Sequence, residues 1–286
     1  MFWMTFILIG ALSVSESIID ETVMEGIKHY DDALRSYMVR VQQRNTYYRV
    51  PWEEEQLDPP FQRIYVGSFA TNGFLKEVVK IYSRLIETGD VKEDMEVKVI
   101  HRRVFDGKKI VEEIEYRYPD RSREREYHIF PPPPDFRPFK SEEFDPKYWL
   151  GLYGTPISKV LTSNRISDLS FKEERVNGEK CYRIKVRKPY GSVEFLINTE
   201  RGYRPQEIIQ TRGKERIVIQ ISLARYSDLI WYPERVIKRK FVGPLGKEKL
   251  VLEKELRFTQ FKGNEEIPPR RFRLRIDKSC PVFDHR

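Results

Sequence analysis

Residues 176–236 read VNGEKCYRIKVRKPYGSVEFLINTERGYRPQEIIQTRGKERIVIQISLARYSDLIWYPERV, and this stretch decides the fold. Asn177-Gly178 lies between two strand-like runs and predicts a type I′ hairpin turn, because both central residues of that turn need positive φ. Apolar and polar residues then alternate along each run. The apolar positions are Tyr182, Ile184, Val186, Val193, Phe195, Ile197, Ile217, Ile219, Ile221 and Leu223. The pattern predicts four short antiparallel strands that share one apolar face.

The region before this sheet begins with an amphipathic helix pattern. Apolar residues recur there at spacings of three and four, which places them on one face of a helix. They are Val23, Ile27, Tyr30, Leu34, Tyr37, Met38 and Val41. Residues 41–50 either continue this helix or form the first strand. Pro51 ends the element in either case.

Several further strands are predicted between residues 64 and 118. Residues 64–69 have strand composition, and Asp106-Gly107 predicts a second type I′ hairpin between residues 95–105 and 110–118. Residues 74–86 fit helical spacing, whereas their β-branched composition and a turn at residues 88–90 favour a strand. We lean towards a strand there and leave the helix open.

Two short helices are predicted in the middle of the chain. Pro131–Pro134 cannot pair in a central strand and indicates a stiff connector. Asp145-Pro146 and Thr155-Pro156 each begin a short helix, since Asp suits the N-cap and Pro the first turn. These helices can cover the apolar face of the sheet, either as a permanent core or as a movable lid. Further on, residues 250–258 are predicted to form a long strand, and Phe272, Leu274 and Ile276 the last one.

The expected fold class is therefore α+β: a curved, mostly antiparallel half-barrel sheet, an N-terminal helix, and short helices inserted as a lid over its apolar face. The sequence shows no clear domain boundary, so we expect residues 16–286 to form a single domain. This length is ordinary for one domain.

Residues 2–14 form an uncharged, mostly apolar run of the length of a signal-peptide core, followed by small residues. We interpret residues 1–15 as a signal peptide and expect an exported protein of the periplasm or cell envelope. A buried first helix turn and an uncleaved anchor are the alternatives. No later segment is long and apolar enough to be predicted as a membrane-spanning helix.

The composition is that of a folded protein, with 16 Tyr, 17 Phe, 4 Trp and a hydrophobic fraction of 40%. A net charge of +8 can attract nucleic acid or anionic lipid. The basic residues are spread among 44 acidic ones, however, which favours solvated strand faces over a basic patch. We therefore expect no nucleic-acid partner.

The sequence lacks the motifs of metal, nucleotide and serine-nucleophile chemistry. Its four histidines are not spaced as metal ligands, and His101 is expected to be a structural residue of a strand. We therefore predict neither an enzyme nor a cofactor or metal site. Cys181 and Cys280 either form a disulfide, as exported proteins often do, or stay unpaired.

Five segments together resemble the outer-membrane lipoprotein-sorting superfamily, which includes LolA-like, LolB-like and MucB/RseB-like domains. They are residues 177–186 (NGEKCYRIKV), 195–205 (FLINTERGYRP), 231–236 (WYPERV), 272–276 (FRLRI) and 282–284 (VFD). In such proteins a strand ends in an acidic residue and a Gly turn, a later strand opens on Trp-Tyr-Pro, and the chain closes on Phe-x-Leu and Val-x-Asp. The resemblance covers the second half of the chain.

This resemblance implies a non-enzymatic carrier or binding protein that holds lipid or lipoprotein acyl chains in an apolar cavity. The residues implied for that cavity are Trp149, Leu152, Tyr153, Val160 and Leu161 on the lid, with Tyr182, Ile184, Phe195, Ile197, Ile219 and Ile221 on the sheet. The alternative is an RseB-like interaction or sensor domain that binds another envelope protein and has no lipid cargo. A large apolar cavity favours the carrier, and a filled face with an exposed apolar patch favours the interaction domain.

Overall fold

The structure is a computed structural model that describes residues 21–31, 33–49, 56–72, 75–87, 94–132, 143–163, 166–244 and 246–286. These residues form one large sheet with few helical segments. The helices are α1 (residues 21–31 and 33), α2 (Pro146–Trp149) and α3 (Ile157–Leu161), and a 3-10 turn covers Pro269–Phe272. No helix in this described part is long and apolar enough to cross a membrane.

The strands of the N-terminal half are β1 (Tyr37–Arg49), β2 (Gln56–Thr71), β3 (Lys76–Glu87), β4 (Asp94–Phe105), β5 (Ile110–Arg117) and β6 (Arg123–Phe130). Those of the C-terminal half are β7 (Asp168–Val176), β8 (Glu179–Lys188), β9 (Gly191–Asn198), β10 (Arg204–Arg212), β11 (Glu215–Ser227), β12 (Ile230–Val242), β13 (Lys249–Gly263) and β14 (Val282–Asp284).

The sheet consists of two antiparallel meanders joined at their inner strands. Its order is β14-β6-β5-β4-β3-β2-β1-β13-β12-β11-β10-β9-β8-β7. The first meander, β1 to β6, meets the second, β7 to β13, where β1 pairs with β13. Only β14 is parallel to its neighbour, β6, among the strands of the described residues. The predicted curved, mostly antiparallel sheet with short helices is confirmed at this level.

We call the side of the sheet that α1, α2 and α3 cover the inner face, and the opposite side the outer face. Alternation places Val41 of β1, Phe69 of β2, Phe195 of β9 and Ile219 of β11 on the inner face. These side chains are at most 2% exposed and belong to the main core cluster together with the buried residues of the helices. The core therefore lies between the inner face and the helices.

The predicted helix from Val23 to Val41 is too long. Residue 33 is the last helical one, and Tyr37 already begins β1, which is paired on both sides. Tyr37 and Val41 satisfy a helical spacing of four and also a strand spacing of two. Pairing with β2 and β13 decides in favour of the strand, because it satisfies the backbone groups along the whole segment.

Both predicted hairpins are present, but only one has the predicted turn. Asn177 and Gly178 have φ values of 51° and 84° and connect the paired Val176 and Glu179, which confirms the two-residue turn. At the β4–β5 hairpin, Phe105 pairs with Ile110, so the loop has four residues. The Asp106 carboxylate accepts hydrogen bonds from two backbone amides of that loop, and this stabilises the longer turn.

The ambiguous stretch 74–86 is a strand over the residues that β3 covers, paired with β2 and β4. The predicted turn at residues 88–90 lies outside the described residues. So do residues 1–15 and Pro133-Pro134 of the proline tract, while Pro131-Pro132 follow β6 without strand structure.

The prediction of a last strand at Phe272, Leu274 and Ile276 is wrong. Phe272 ends the 3-10 turn, which Pro268 precedes and Pro269 begins. Neither proline has a backbone N–H group to donate, so strand pairing cannot begin there. The Phe272 ring is fully buried on the outer face against Ala70, Val104 and Ile267. The chain then reaches β14, the last strand, at the edge of the sheet beside β6.

Candidate functional site

The candidate site is the inner face beneath α2 and α3. Helix α2 begins as the sequence predicts, because the Asp145 side chain accepts a hydrogen bond from the Lys147 amide and Pro146 occupies the first turn. The Trp149 indole donates to the Glu143 carbonyl at 2.8 Å. Its ring is 1% exposed and is therefore part of the core.

Helix α3 begins directly after Pro156 and has no side-chain cap. A close turn leads into it: Leu152 and Thr155 form an isolated β-bridge. Gly151 permits this approach, because a Cβ there would lie 2.2 Å from the Thr155 carbonyl oxygen. Ile157, Val160 and Leu161 are then turned into the core.

The structure brings all eleven residues of the implied cavity together. Nine are buried in the main core cluster, and Leu152 and Tyr153 are half-buried against it. The buried ones are Trp149, Val160, Leu161, Tyr182, Ile184, Phe195, Ile197, Ile219 and Ile221. The side chains of α2 and α3 thus occupy the apolar face of the C-terminal meander in this structure.

Helix α2 is fastened to the sheet through a buried hydrogen bond. The Tyr37 hydroxyl on β1 donates to the Asp145 carboxylate at 2.5 Å. Burial raises the pKa of Asp145, although Lys76, the Tyr37 hydroxyl and Lys147 act in the opposite direction. Burial and the neighbouring carboxylate also raise the pKa of Tyr37, so its hydroxyl stays a donor at neutral pH. One contact therefore joins the cap of α2 to the first strand.

Helix α3 is fastened through a second buried group. The Asp31 carboxylate at the end of α1 accepts from the Ser158 hydroxyl at 2.9 Å and from the Arg204 guanidinium at 3.0 Å. Arg204 also donates to the Tyr30 carbonyl, and its side chain is 4% exposed. Burial lowers the pKa of Arg204, although the Asp31 carboxylate acts to raise it. This ion pair links α1, α3 and β10.

Two lysines have ammonium groups near the cover: Lys147 belongs to α2, and Lys238 lies on β12. Burial lowers the pKa of Lys147 and also that of Lys238, since each ammonium is partly withdrawn from water. The Lys238 ammonium lies over the rings of Trp149 and Tyr153, at 6.0 Å and 5.3 Å from their centroids. The cover therefore holds cationic as well as apolar groups against the sheet.

Sequence reasoning missed the polar anchors of the cover. The sequence indicates Asp145 only as a helix cap and places Tyr37 on a helix. Arg204 belongs to the Gly-Tyr-Arg-Pro turn that the resemblance rests on, but its partner Asp31 is 173 residues away. The only sequence signal for Arg204 is its place directly before a proline at the start of a strand.

A groove opens on the inner face where β8 and β10 end and β9 begins. It has a volume of about 590 Å³ and is lined by residues 188–193 and 210–212. Tyr190 at its rim is 83% exposed. The side-chain amide oxygen of Gln210 accepts from the Tyr153 hydroxyl at 2.7 Å, so the groove adjoins the cover. Nothing in the sequence pattern singled out this groove.

The outer face of the N-terminal meander has an exposed apolar strip. Ile64 and Val66 of β2 are 51% and 47% exposed. Val66 pairs with Ile81, which in turn pairs with Ile100, so these half-buried side chains extend the strip across β3 and β4. The strip is therefore an apolar surface that is open to solvent.

The candidate disulfide is absent, since Cys181 and Cys280 are both free thiols. Cys181 lies on β8 near one edge of the sheet, and Cys280 lies just before β14, the strand at the other edge. Burial raises the pKa of the Cys181 thiol, which makes it a poor nucleophile.

The histidines take part in local contacts. His101 lies 3.2 Å from the Glu112 carboxylate on the neighbouring strand. The ring nitrogens of His128 on β6 and His285 are 3.1 Å apart, a proximity that the sequence spacing does not show. Within the described ranges, no group of three or more His, Cys, Asp or Glu side chains could hold a metal ion.

Comparison with known proteins leaves the family open. No family model matches this chain, and no curated protein matches it. Among solved structures, the chain is similar to an uncharacterized conserved protein from Thermus thermophilus, with 10% identity over 93% of this chain and 99% of that chain and a TM-score of 0.33. A porin-like protein from Bacteroides uniformis is similar at 7% identity, with 77% and 95% of the two chains covered and a TM-score of 0.26. Likenesses this distant carry no argument about function.

Proposed function

We propose that this chain is an exported, non-enzymatic binding protein of the cell envelope that carries a lipid or lipoprotein acyl chain on its inner face. The observation that supports this most is that the six implied sheet residues form one apolar face, which side chains of two helices of only four and five residues fill. Because this face is filled, the carrier requires the cover to open. The resemblance to the lipoprotein-sorting superfamily, which lies largely in these same strands, adds support for the carrier.

The cover is built so that it can open. Helices this short have almost no stability of their own, so their position depends on contacts with the rest of the chain. Polar contacts hold them to other elements: Tyr37 with Asp145 for α2, Asp31 with Ser158 for α3, and Tyr153 with Gln210 for the segment between them. An acyl chain that replaces the helix side chains on the sheet recovers ~0.8 kcal/mol for each CH₂ group that it buries.

The experiment is native mass spectrometry with lipid extraction on the full chain purified from its own envelope. We expect co-purifying acyl species. Tyr37→Phe should then speed the uptake of a fluorescent fatty-acid probe, because it removes the hydroxyl that holds α2. Tyr118→Phe is the matched control, since the Tyr118 hydroxyl donates to the exposed Glu124 side chain, away from the cover. A protein that carries no lipid and takes up no probe, in either variant, contradicts the carrier.

A second candidate, an interaction or sensor domain that binds another envelope protein, has its own support. The inner face is occupied by Trp149 and its neighbours, and the strip around Ile64 and Val66 is exposed. Under this candidate the cover stays closed and the purified chain is free of lipid. A partner that co-purifies in equal amount should then be lost from the Ile64→Thr/Val66→Thr variant.

A further inference from the structure

The groove at the ends of β8 and β10 and the start of β9 adjoins the apolar core. Inward positions of β8 lead from Lys188 through Val186 to Ile184, and the latter two are fully buried. Val193 of β9, 8% exposed, belongs both to the groove lining and to the main core cluster. At about 590 Å³ the groove has the size of a small-molecule site.

The groove carries two cations that no carboxylate neutralises. Lys188 and Arg212 both line it, and neither has a carboxylate within ion-pair distance in the part of the chain that the structure describes. The acid that pairs with Arg212 in register is Glu215, but its carboxylate binds the Lys240 ammonium at 2.7 Å. The lining therefore has a positive rim.

A buried donor in the lining also lacks a partner. The Gln210 amide nitrogen is inaccessible to solvent and makes no hydrogen bond within the described residues, while the amide oxygen is held by Tyr153. An unpaired buried N–H group is costly, and a ligand oxygen can satisfy it. The structure thus offers one donor and two cations at a groove whose inner end meets the packed apolar core.

From this combination we infer that the groove binds the anionic head group of a single-chain amphiphile, with the carboxylate or phosphate at Lys188 and Arg212 and the chain directed past Val193 towards the covered face. This inference rests on the proposed function, because the covered face takes the chain. Charge complementarity selects an anionic head over a neutral or cationic one.

The test compares two probes with the same hydrocarbon chain, cis-parinaric acid and the uncharged cis-parinaryl alcohol, in fluorescence titrations of the full chain. The wild type should bind the acid more tightly than the alcohol. Lys188→Gln/Arg212→Gln should weaken acid binding by roughly five- to tenfold, the size expected for two solvent-accessible charge contacts, and leave the alcohol unchanged.

Lys172→Gln/Lys214→Gln is the charge-matched control, since both lysines are exposed and lie outside the groove. It should bind both probes as the wild type does. Displacement of the acid by oleate and by oleoyl lysophosphatidate, measured separately, distinguishes a carboxylate head from a phosphate head. The acid affinity of the wild type should also fall with salt, because ions screen exposed charges. That measurement does not depend on any variant folding.

Equal binding of the acid and the alcohol by the wild type, without salt dependence, overturns the head-group site and leaves the proposed carrier intact. The head-group site is also overturned if the groove variant and the charge-matched control behave alike. Acid binding that depends on Lys188 and Arg212, with no binding of the alcohol, supports the head-group site and counts against the covered face as a carrier. Absence of binding by both probes overturns both proposals.

Discussion

Single residues of the outer face are tied into dense charge networks, and Glu255 is the clearest case. Its side chain is 8% exposed and accepts hydrogen bonds from Arg44, Arg235 and Arg257, which come from three neighbouring strands. Burial alone would raise the pKa of this carboxyl, but the hydrogen bonds from the three arginines outweigh it and hold the pKa at about 2. Glu255 therefore stabilises the junction of β1, β13 and β12 electrostatically.

We predict that Glu255→Gln lowers the free energy of unfolding at pH 7 by about 1–2 kcal/mol, a figure reduced for the solvent exposure of the arginines. A depressed folded-state pKa means that this stabilisation is complete above the unfolded value near 4.5 and is lost as the pH falls towards 2. Urea denaturation at a series of pH values measures it. A difference between wild type and variant that stays constant from pH 7 to pH 2 would contradict the assignment.

At the scale of elements, one turn and one helix cap follow the local sequence, whereas the β4–β5 turn and the length of α1 do not. The Asn177-Gly178 turn and the Asp145-Pro146 helix start could be read from two residues each, because they depend on local φ preferences and one hydrogen bond. The end of α1 could not, since Tyr37 fits a helix and a strand equally well. Tyr37 pairs with a residue of β13 that lies more than two hundred positions further along the chain, so no local pattern can show this pairing.

We predict that Gly178→Ala destabilises the protein by about 1 kcal/mol, because Gly178 has φ of 84° and an L-residue is strained in that conformation. A Cβ at this position has no neighbour within 4 Å, so the cost lies in the backbone alone. Thermal or urea unfolding measures it. Lys172→Ala, at an exposed position of β7, is the control and should change stability by less than about 0.5 kcal/mol. Equal effects of the two substitutions would show that the turn does not require glycine.

At the scale of the molecule, the pairing of β1 with β13 joins the two meanders into one sheet. The two strands contribute Val41 and Phe258 as partners, and both side chains are at most 1% exposed. A substitution that removes packing contacts from β1 should therefore destabilise both meanders. This predicts that the N-terminal and C-terminal halves unfold together.

We predict that Val41→Ala lowers stability by about 2 kcal/mol and does so equally for both halves. Hydrogen–deuterium exchange in urea, followed on peptides from β4–β5 and from β8–β9, should give one shared midpoint that shifts as a unit. Gln42→Ala changes the adjacent, outward-facing side chain and should leave the shared midpoint unchanged. Two separate midpoints, with only the first shifted, would mean that the meanders are independent units.

By itself, the sequence determined many of the strands, the Asn177-Gly178 turn, the start of α2 and the single apolar face, because alternation and local φ preferences act over a few residues. The tertiary structure alone decided that β1 meets β13, that α2 and α3 occupy the apolar face, and that Tyr37 meets Asp145 across 108 positions. It also placed Lys188 and Arg212 beside one groove. Contacts of this kind form only when distant segments are packed together, and their free energy depends on burial that no local pattern records.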